Sequence, residues 1–291
     1  MGCTTQVDSL DCLRKVPYGR LFAALAPFQL TPIVDGEFLQ QLPSKSFKEG
    51  KVVNVAILAG SNTDEGTATF LGPRNMLHND TDTYNFLATM RKGLDDRTVQ
   101  QIMELYPDDP AQGCPFNTGS ERFAENGLQY KRGAAIAGDL SIHAGRRATV
   151  EFFASLPARK RKPVYSYRFD QTPWNNQEPL IAVAAPVFAT HYAEICFVFN
   201  IAPDASKSNT NWIGPYPAYY EMSNLMSRMF ISFIHDLNPN NHGIRKVPQW
   251  RDYRYGETNF VFNNLGCYVE RDNWRERQLA FWSQIWDKVL T

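Results

Sequence analysis

No apolar run in the 291 residues is long enough to span a bilayer as a helix, so no transmembrane segment is expected. Neither sign of charge prevails. Lys+Arg and Asp+Glu are both 30 and the formal net charge is zero, which removes the electrostatic basis for binding nucleic acid or an anionic membrane. The N-terminal stretch MGCTTQVDSLDC has neither a basic n-region nor an apolar h-region, so it does not read as a signal peptide. Gln6 stands where N-myristoylation needs Ser or Thr. GxGxxG is absent, and so is GxxxxGK followed by Ser or Thr; no dinucleotide or P-loop cofactor is expected. HExxH, CxxC and closely spaced His/Cys clusters are missing too, so no zinc or other metal is expected. No internal repeat or low-complexity stretch is visible.

What is present is a chain able to bury a core. It is 43% hydrophobic and 13% aromatic, enough for one large domain or two smaller ones. The five cysteines (Cys3, Cys12, Cys114, Cys196 and Cys267) fit either several reduced thiols or disulfides plus a free thiol. Asn79-Asp80-Thr81 is a glycosylation sequon, usable in a secreted chain. These features suit secretion, whereas the N-terminus lacks a secretion signal.

Strand and helix patterns alternate, which argues for an α/β layer architecture. DSLDCLRKV (8–16) reads as a helix ended by Pro17. VVNVAILAG (52–60) is nearly continuously apolar and β-branched, as in a strand buried on both faces. Residues 81–94 and 97–107 read as two helices, 107–119 as a proline- and glycine-rich loop, 145–156 as a helix and 163–170 as a strand. In 220–237, Met222, Leu225, Met226, Met229, Phe230, Phe233 and Ile234 form the stripe of an amphipathic helix. The final stretch, 272–290, repeats the pattern with Trp274, Trp282, Ile285, Trp286 and Val289 on one broad face.

Asp64 and Glu65 follow the 52–60 strand directly. A carboxylate just past the C-terminal end of a buried strand lies where α/β sheets place their sites. There it could orient a histidine and stabilise its protonated form; equally, it could cap the next turn. His191 sits in PVFATHYAEICFVFN, followed by Glu194 and an aromatic run that reads as β-like. Taken alone, it fits a satisfied structural histidine or a base. His78, His143, His235 and His242 have no partner suggested by the sequence.

Several segments together resemble the C-terminal half of a type-B carboxylesterase, the α/β-hydrolase family that includes cholinesterases and fungal secreted lipases. They are CTTQVDSLDC (3–12), TPIVDGEFL (31–39), AILAGSNTDEGTATF (56–70), AGDLSIHAGRRATVEF (137–152) and APVFATHYAEICFVFN, then LMSRMFISFIHDLNPN, VPQW and the Trp-rich C-terminal helix, all in family order. The resemblance implies an α/β-hydrolase fold of which residues 1–291 form the C-terminal portion of one domain, with an incomplete central sheet flanked by helices. It implies that Glu65, in the DEG triplet, and His191 are the acid and base of a Ser-Glu-His triad acting on carboxylic esters without a cofactor. It also implies a Cys3–Cys12 disulfide, secretion, and thus use of the Asn79 sequon. Cys114 with Cys267 is one possible further pairing; Trp212, Tyr216 and Tyr219 are left without a role.

The family's GxSxG nucleophile elbow occurs nowhere in the sequence, and its glycine-rich oxyanion loop is missing as well. Without serine and oxyanion hole no acyl-enzyme can form, so the chain by itself is expected to be inactive. The missing N-terminal half is the expected complement, since without it the 52–60 strand would present an unpaired edge and the helices would expose apolar stripes. The alternative is a non-catalytic, cholinesterase-like binding or adhesion module. Retention of Glu65 and His191 tilts against it.

Overall fold

The chain divides at Lys51 into two units, each with its own internal packing. The computed structural model describes residues 2–26, 32–68, 74–90, 93–174, 188–201 and 213–289. The first unit holds three short helices, α1 (Ser9–Arg14), α2 (Tyr18–Leu25) and α3 (Pro43–Lys48). Asp8 caps α1 by accepting from the Asp11 amide at 2.8 Å. A Cys3–Cys12 disulfide, with Cα atoms 5.6 Å apart, closes the loop that leads into it.

The second unit is built on a four-stranded sheet of order β1-β2-β3-β4: β1 (Ile57–Asn62), β2 (Val164–Phe169), β3 (Thr258–Phe262) and β4 (Tyr268–Arg271). β1, β2 and β3 run parallel, and β4 returns antiparallel. The first strand differs from expectation. It starts at Ile57 because its pairing starts there, opposite Val164, the first residue of β2. Val53 and Val55 lie before that register and are exposed. Nor is β1 buried on both faces: Ile57 to Gly60 are half-buried, and only Ser61 and Asn62 are buried. It pairs on one side only, and among the described residues its other edge carries no strand.

Among the described residues, eight further helices and a π turn follow the connections. After β1 come α4 (Asp80–Met90), α5 (Asp96–Leu105) and α6 (Tyr130–Gly138), with a π turn at Asp139–His143 leading into α7 (Ala144–Ser155). After β2 come α8 (Ile195–Val198) and α9 (Pro217–Asp236), and after β4 come α10 (Glu276–Gln284) and α11 (Trp286–Val289). The expected C-terminal helix thus begins later than Asp272, because β4 occupies the residues just before. Strands β3 and β4 have no counterpart in the sequence expectations; all five residues of β3 are buried.

The buried apolar residues form two cores. Tyr165, Tyr167 and Phe169 point to one face and pack with Met222, Leu225, Met226 and Met229 of α9 and with Trp250. Phe230 and Phe233 meet the tyrosine rings of β2 edge-on, whereas Ile234 is exposed, at the margin of the predicted stripe. A second cluster gathers Leu87, Val99, Ile102, Tyr130, Ile136 and Trp282, with Trp274, Ile285 and Trp286 packed against it. Among the described residues no helix is long and apolar enough to cross a membrane.

On the opposite face of β2, Ser166 receives a hydrogen bond from Arg146 of α7 at 3.2 Å. Arg146 and Arg147 both pair with Asp272, whose side chain is fully buried. Asp272 also accepts from Tyr253 Oη at 2.9 Å and from Asn259 Nδ2 at 3.0 Å. Burial opposes its charge, but the two guanidinium groups outweigh burial and hold its carboxyl well below the usual range. Nearby, Ser61 Oγ lies 3.0 Å from His143 Nδ1, while the buried His143 Nε2 has no partner among the described residues. Burial, then the charges of Arg146, Arg275 and Arg147, push the His143 pKa well below that of a free histidine.

Two outcomes follow from these buried charges. Asp272→Ala strands two buried guanidinium groups and should lower the unfolding free energy by about 3–5 kcal/mol, read as a shift of urea midpoint at constant slope. His143 stays neutral in the folded protein, so its contribution is present above the ordinary histidine pKa and lost as pH falls through it. His143→Asn should therefore shrink, by about 1 kcal/mol, the stability lost between about pH 7.5 and about pH 5.5.

Candidate functional site

The site forms where β1 runs out. Thr63 donates its amide to the Phe169 carbonyl at 2.9 Å, still in the line of the sheet. Asp64 then forms a parallel bridge with Thr190, its amide donating to the Ala189 carbonyl at 2.9 Å. This bridge lays the segment that carries His191 against the turn that carries Glu65. Residues Glu65–Thr67 coil into one turn of 3-10 helix, closed by the Thr67 hydroxyl donating to the Asp64 carbonyl at 2.8 Å.

The turn also needs its glycine. A Cβ on Gly66 would sit 1.8 Å from the carbonyl oxygen of Ala134 in α6. The third residue of the DEG triplet therefore sets how closely the acidic turn approaches α6.

The two acids of the triplet diverge. Asp64 accepts from the Phe116 amide at 2.8 Å and from Cys114 Sγ at 3.7 Å. Burial is the main cause that pushes its pKa up to about 7. It ties the acidic turn to the 114–116 loop, the capping role that the sequence left open for either acid. Glu65 instead faces His191: its Oε2 lies 2.5 Å from His191 Nδ1, while Oε1 accepts the Asn62 amide at 2.7 Å. The Glu65 side chain is 4% exposed and that of His191 24%. Burial alone would lower the His191 pKa. The hydrogen bond and charge of Glu65, with a smaller contribution from Glu194, outweigh it and raise the pKa.

Glu194 enters the same cluster. Asn62 Nδ2 donates to its Oε2 at 2.5 Å and to the Thr190 carbonyl at 2.6 Å. Asn62 is the residue that sequence reasoning missed; its signal was a polar residue at the end of an apolar strand, three positions before the acid. Tyr192 adopts φ +73° and sets its ring edge-to-face against His191, centroids 4.5 Å apart. The run after Glu194 is helical, not β-like: the Phe197 and Val198 amides both close on the Glu194 carbonyl at 2.9 Å, and Phe197 is buried in the core beneath.

Other expected residues lie apart. Cys114 and Cys267 do not pair. Cys114 is buried in the core of α4–α6, whereas Cys267 packs against the core on the α9 side and contacts the Asn263 carbonyl at 3.8 Å. Asn79 is exposed and caps α4, accepting from the Asp82 amide at 3.0 Å. Tyr216 and Tyr219 pack on each other and on Trp174 and Phe197; Trp212 lies outside the described residues. Among the described residues no group of three His, Cys, Asp or Glu could hold a metal ion.

Comparison with known proteins gives this geometry a context. The carboxylesterase family matches residues 1–282. Lipase 4 of Diutina rugosa is 27% identical over 289 residues, covering 94% of this chain and 46% of that protein. Secreted lipase 1 of Botryotinia fuckeliana is likewise 27% identical, over 94% of this chain and 45% of its own length. The chain thus spans about half the length of the curated relatives it matches. Among solved structures, Aspergillus niger EstA superposes with a TM-score of 0.75 at 18% identity, over all of this chain and 54% of that one. The chain belongs to the carboxylesterase family and has an α/β-hydrolase fold.

Proposed function

We propose that Glu65 and His191 are the acid and base of a carboxylic ester hydrolase of the Ser-Glu-His type. The observation that carries this reading is the 2.5 Å contact between buried Glu65 and the Nδ1 of a more exposed His191. A carboxylate at Nδ1 fixes the tautomer that lets Nε2 accept a serine proton, and it stabilises the imidazolium that results. Glu65 and His191 can move a proton but cannot form the acyl-enzyme, and the sequence holds no GxSxG serine. The serine and the oxyanion hole come from a complementary N-terminal segment, for which the edge of β1 that carries no strand among the described residues is a natural docking line. The substrates are carboxylic esters, and no cofactor takes part. The working environment is extracellular: a matched relative is named a secreted lipase, Cys3 and Cys12 form a disulfide, and Asn79 is accessible for a glycan.

Ester hydrolysis tests the reading. The chain alone should turn over p-nitrophenyl butyrate no faster than buffer containing imidazole. Complemented with a GxSxG-bearing half, it should gain a serine-dependent rate that Glu65→Gln and His191→Ala each lower by roughly 10³-fold or more in kcat. A complemented enzyme whose rate survives both substitutions would overturn it. The bond also fixes a titration. Because the folded pKa of His191 is raised, the stabilisation it brings is present below the ordinary histidine pKa and is lost as pH rises through the folded value. Glu65→Gln should lower the His191 pKa by about one unit or more, read from its imidazole resonances.

A further inference from the structure

Asn62 spends more hydrogen bonds than the end of a strand requires. Its amide serves Glu65 Oε1, and both hydrogens of Nδ2 are used, on the Thr190 carbonyl and on Glu194 Oε2. The residue is 1% exposed, and its Oδ1 has no partner among the described residues. A buried amide with an orphaned acceptor costs stability that an apolar residue would avoid. What it obtains in return is a fixed arrangement of three groups around one imidazole: the acid, the segment bearing the histidine, and a second carboxylate.

We infer that Asn62 is a positioning residue that holds Glu194 ionised as a second carboxylate behind His191. The inference rests on the acid–base reading of Glu65 and His191. Two carboxylates in one buried cluster disfavour each other's charge, and burial together with Glu65 does push the Glu194 pKa up. The short bond from Asn62 Nδ2 opposes that and keeps the charged form within reach. Among the described residues the charges that act on the imidazole are Glu65 from the 3-10 turn and Glu194 from the start of α8. Tyr192 adds only an aromatic ring, and Tyr167 of β2, held far above its usual pKa by burial and by both acids, stays neutral. Among the described residues two carboxylates and no cation act on the imidazole, which favours the imidazolium over the neutral base.

The test follows the imidazole resonances of His191 through a pH titration of the 291-residue chain and its variants. Glu194→Gln, which keeps shape and hydrogen-bonding capacity, should lower the His191 pKa by about half a unit to one unit. Asn62→Leu should produce a similar fall, because Glu194 then loses its donor and takes up a proton. The double variant should fall no further than either single one, since both remove the same charge. An unchanged His191 titration in Glu194→Gln overturns the inference, whether or not Asn62→Leu folds. An additive double variant overturns it as well, because Asn62 would then act through something other than Glu194. Glu65→Gln keeps the two readings apart. If it leaves His191 unmoved while Glu194→Gln lowers the pKa, the acid–base reading has failed and the second carboxylate stands.

Discussion

The parallel bridge between Asp64 and Thr190 is the contact on which the site depends. Glu65 and His191 are 126 positions apart, and no local propensity brings them together. One amide, that of Asp64, donates to the Ala189 carbonyl two residues past the end of β1. The residue after the bridge is then Glu65 on one segment and His191 on the other. A slip of one residue in this register would point Asp64 at the histidine and send Glu65 toward the 114–116 loop.

The neighbours of the bridge each protect that register. Thr67 closes the acidic turn, and Gly66 lets the turn lie against α6 without a side chain between them. Asp64 anchors the same turn to Phe116 on the far side. The triplet therefore divides its labour by direction: one acid fastens the turn, the next meets the histidine, and the glycine sets the distance to the helix beneath.

Much of this was legible in the sequence, though by two different routes. Periodicity located the long amphipathic helix α9, where four of seven stripe residues are buried and Ile234 faces water. The junction between strand and acidic turn was visible as well, but the choice between Asp64 and Glu65 came from the family pattern, because burial direction has no local signal. The extent of β1 was misread, since a run of apolar residues does not say where its partner begins. Strands β3 and β4 escaped because their stretches are short and carry Asn259 and Glu270, whose partners (Ser166, Arg168 and Asp272) lie outside their own strands. The same holds for Asn62: its meaning lies in Thr190 and Glu194, more than a hundred residues away.

Asp272 has a consequence for how the protein breathes. It follows β4 directly, yet it binds Arg146 and Arg147 on α7, Asn259 on β3 and Tyr253 in the turn before β3. None of these elements can separate without leaving a charge or an amide stranded in the core, so they open together or not at all. β1 carries no buried ion pair among the described residues, and most of its length is only half-buried. The sheet is thus stiff at the end remote from the histidine and compliant at the end that carries it. Hydrogen exchange would see two cooperative blocks, with Glu65 and His191 both on the one that opens first.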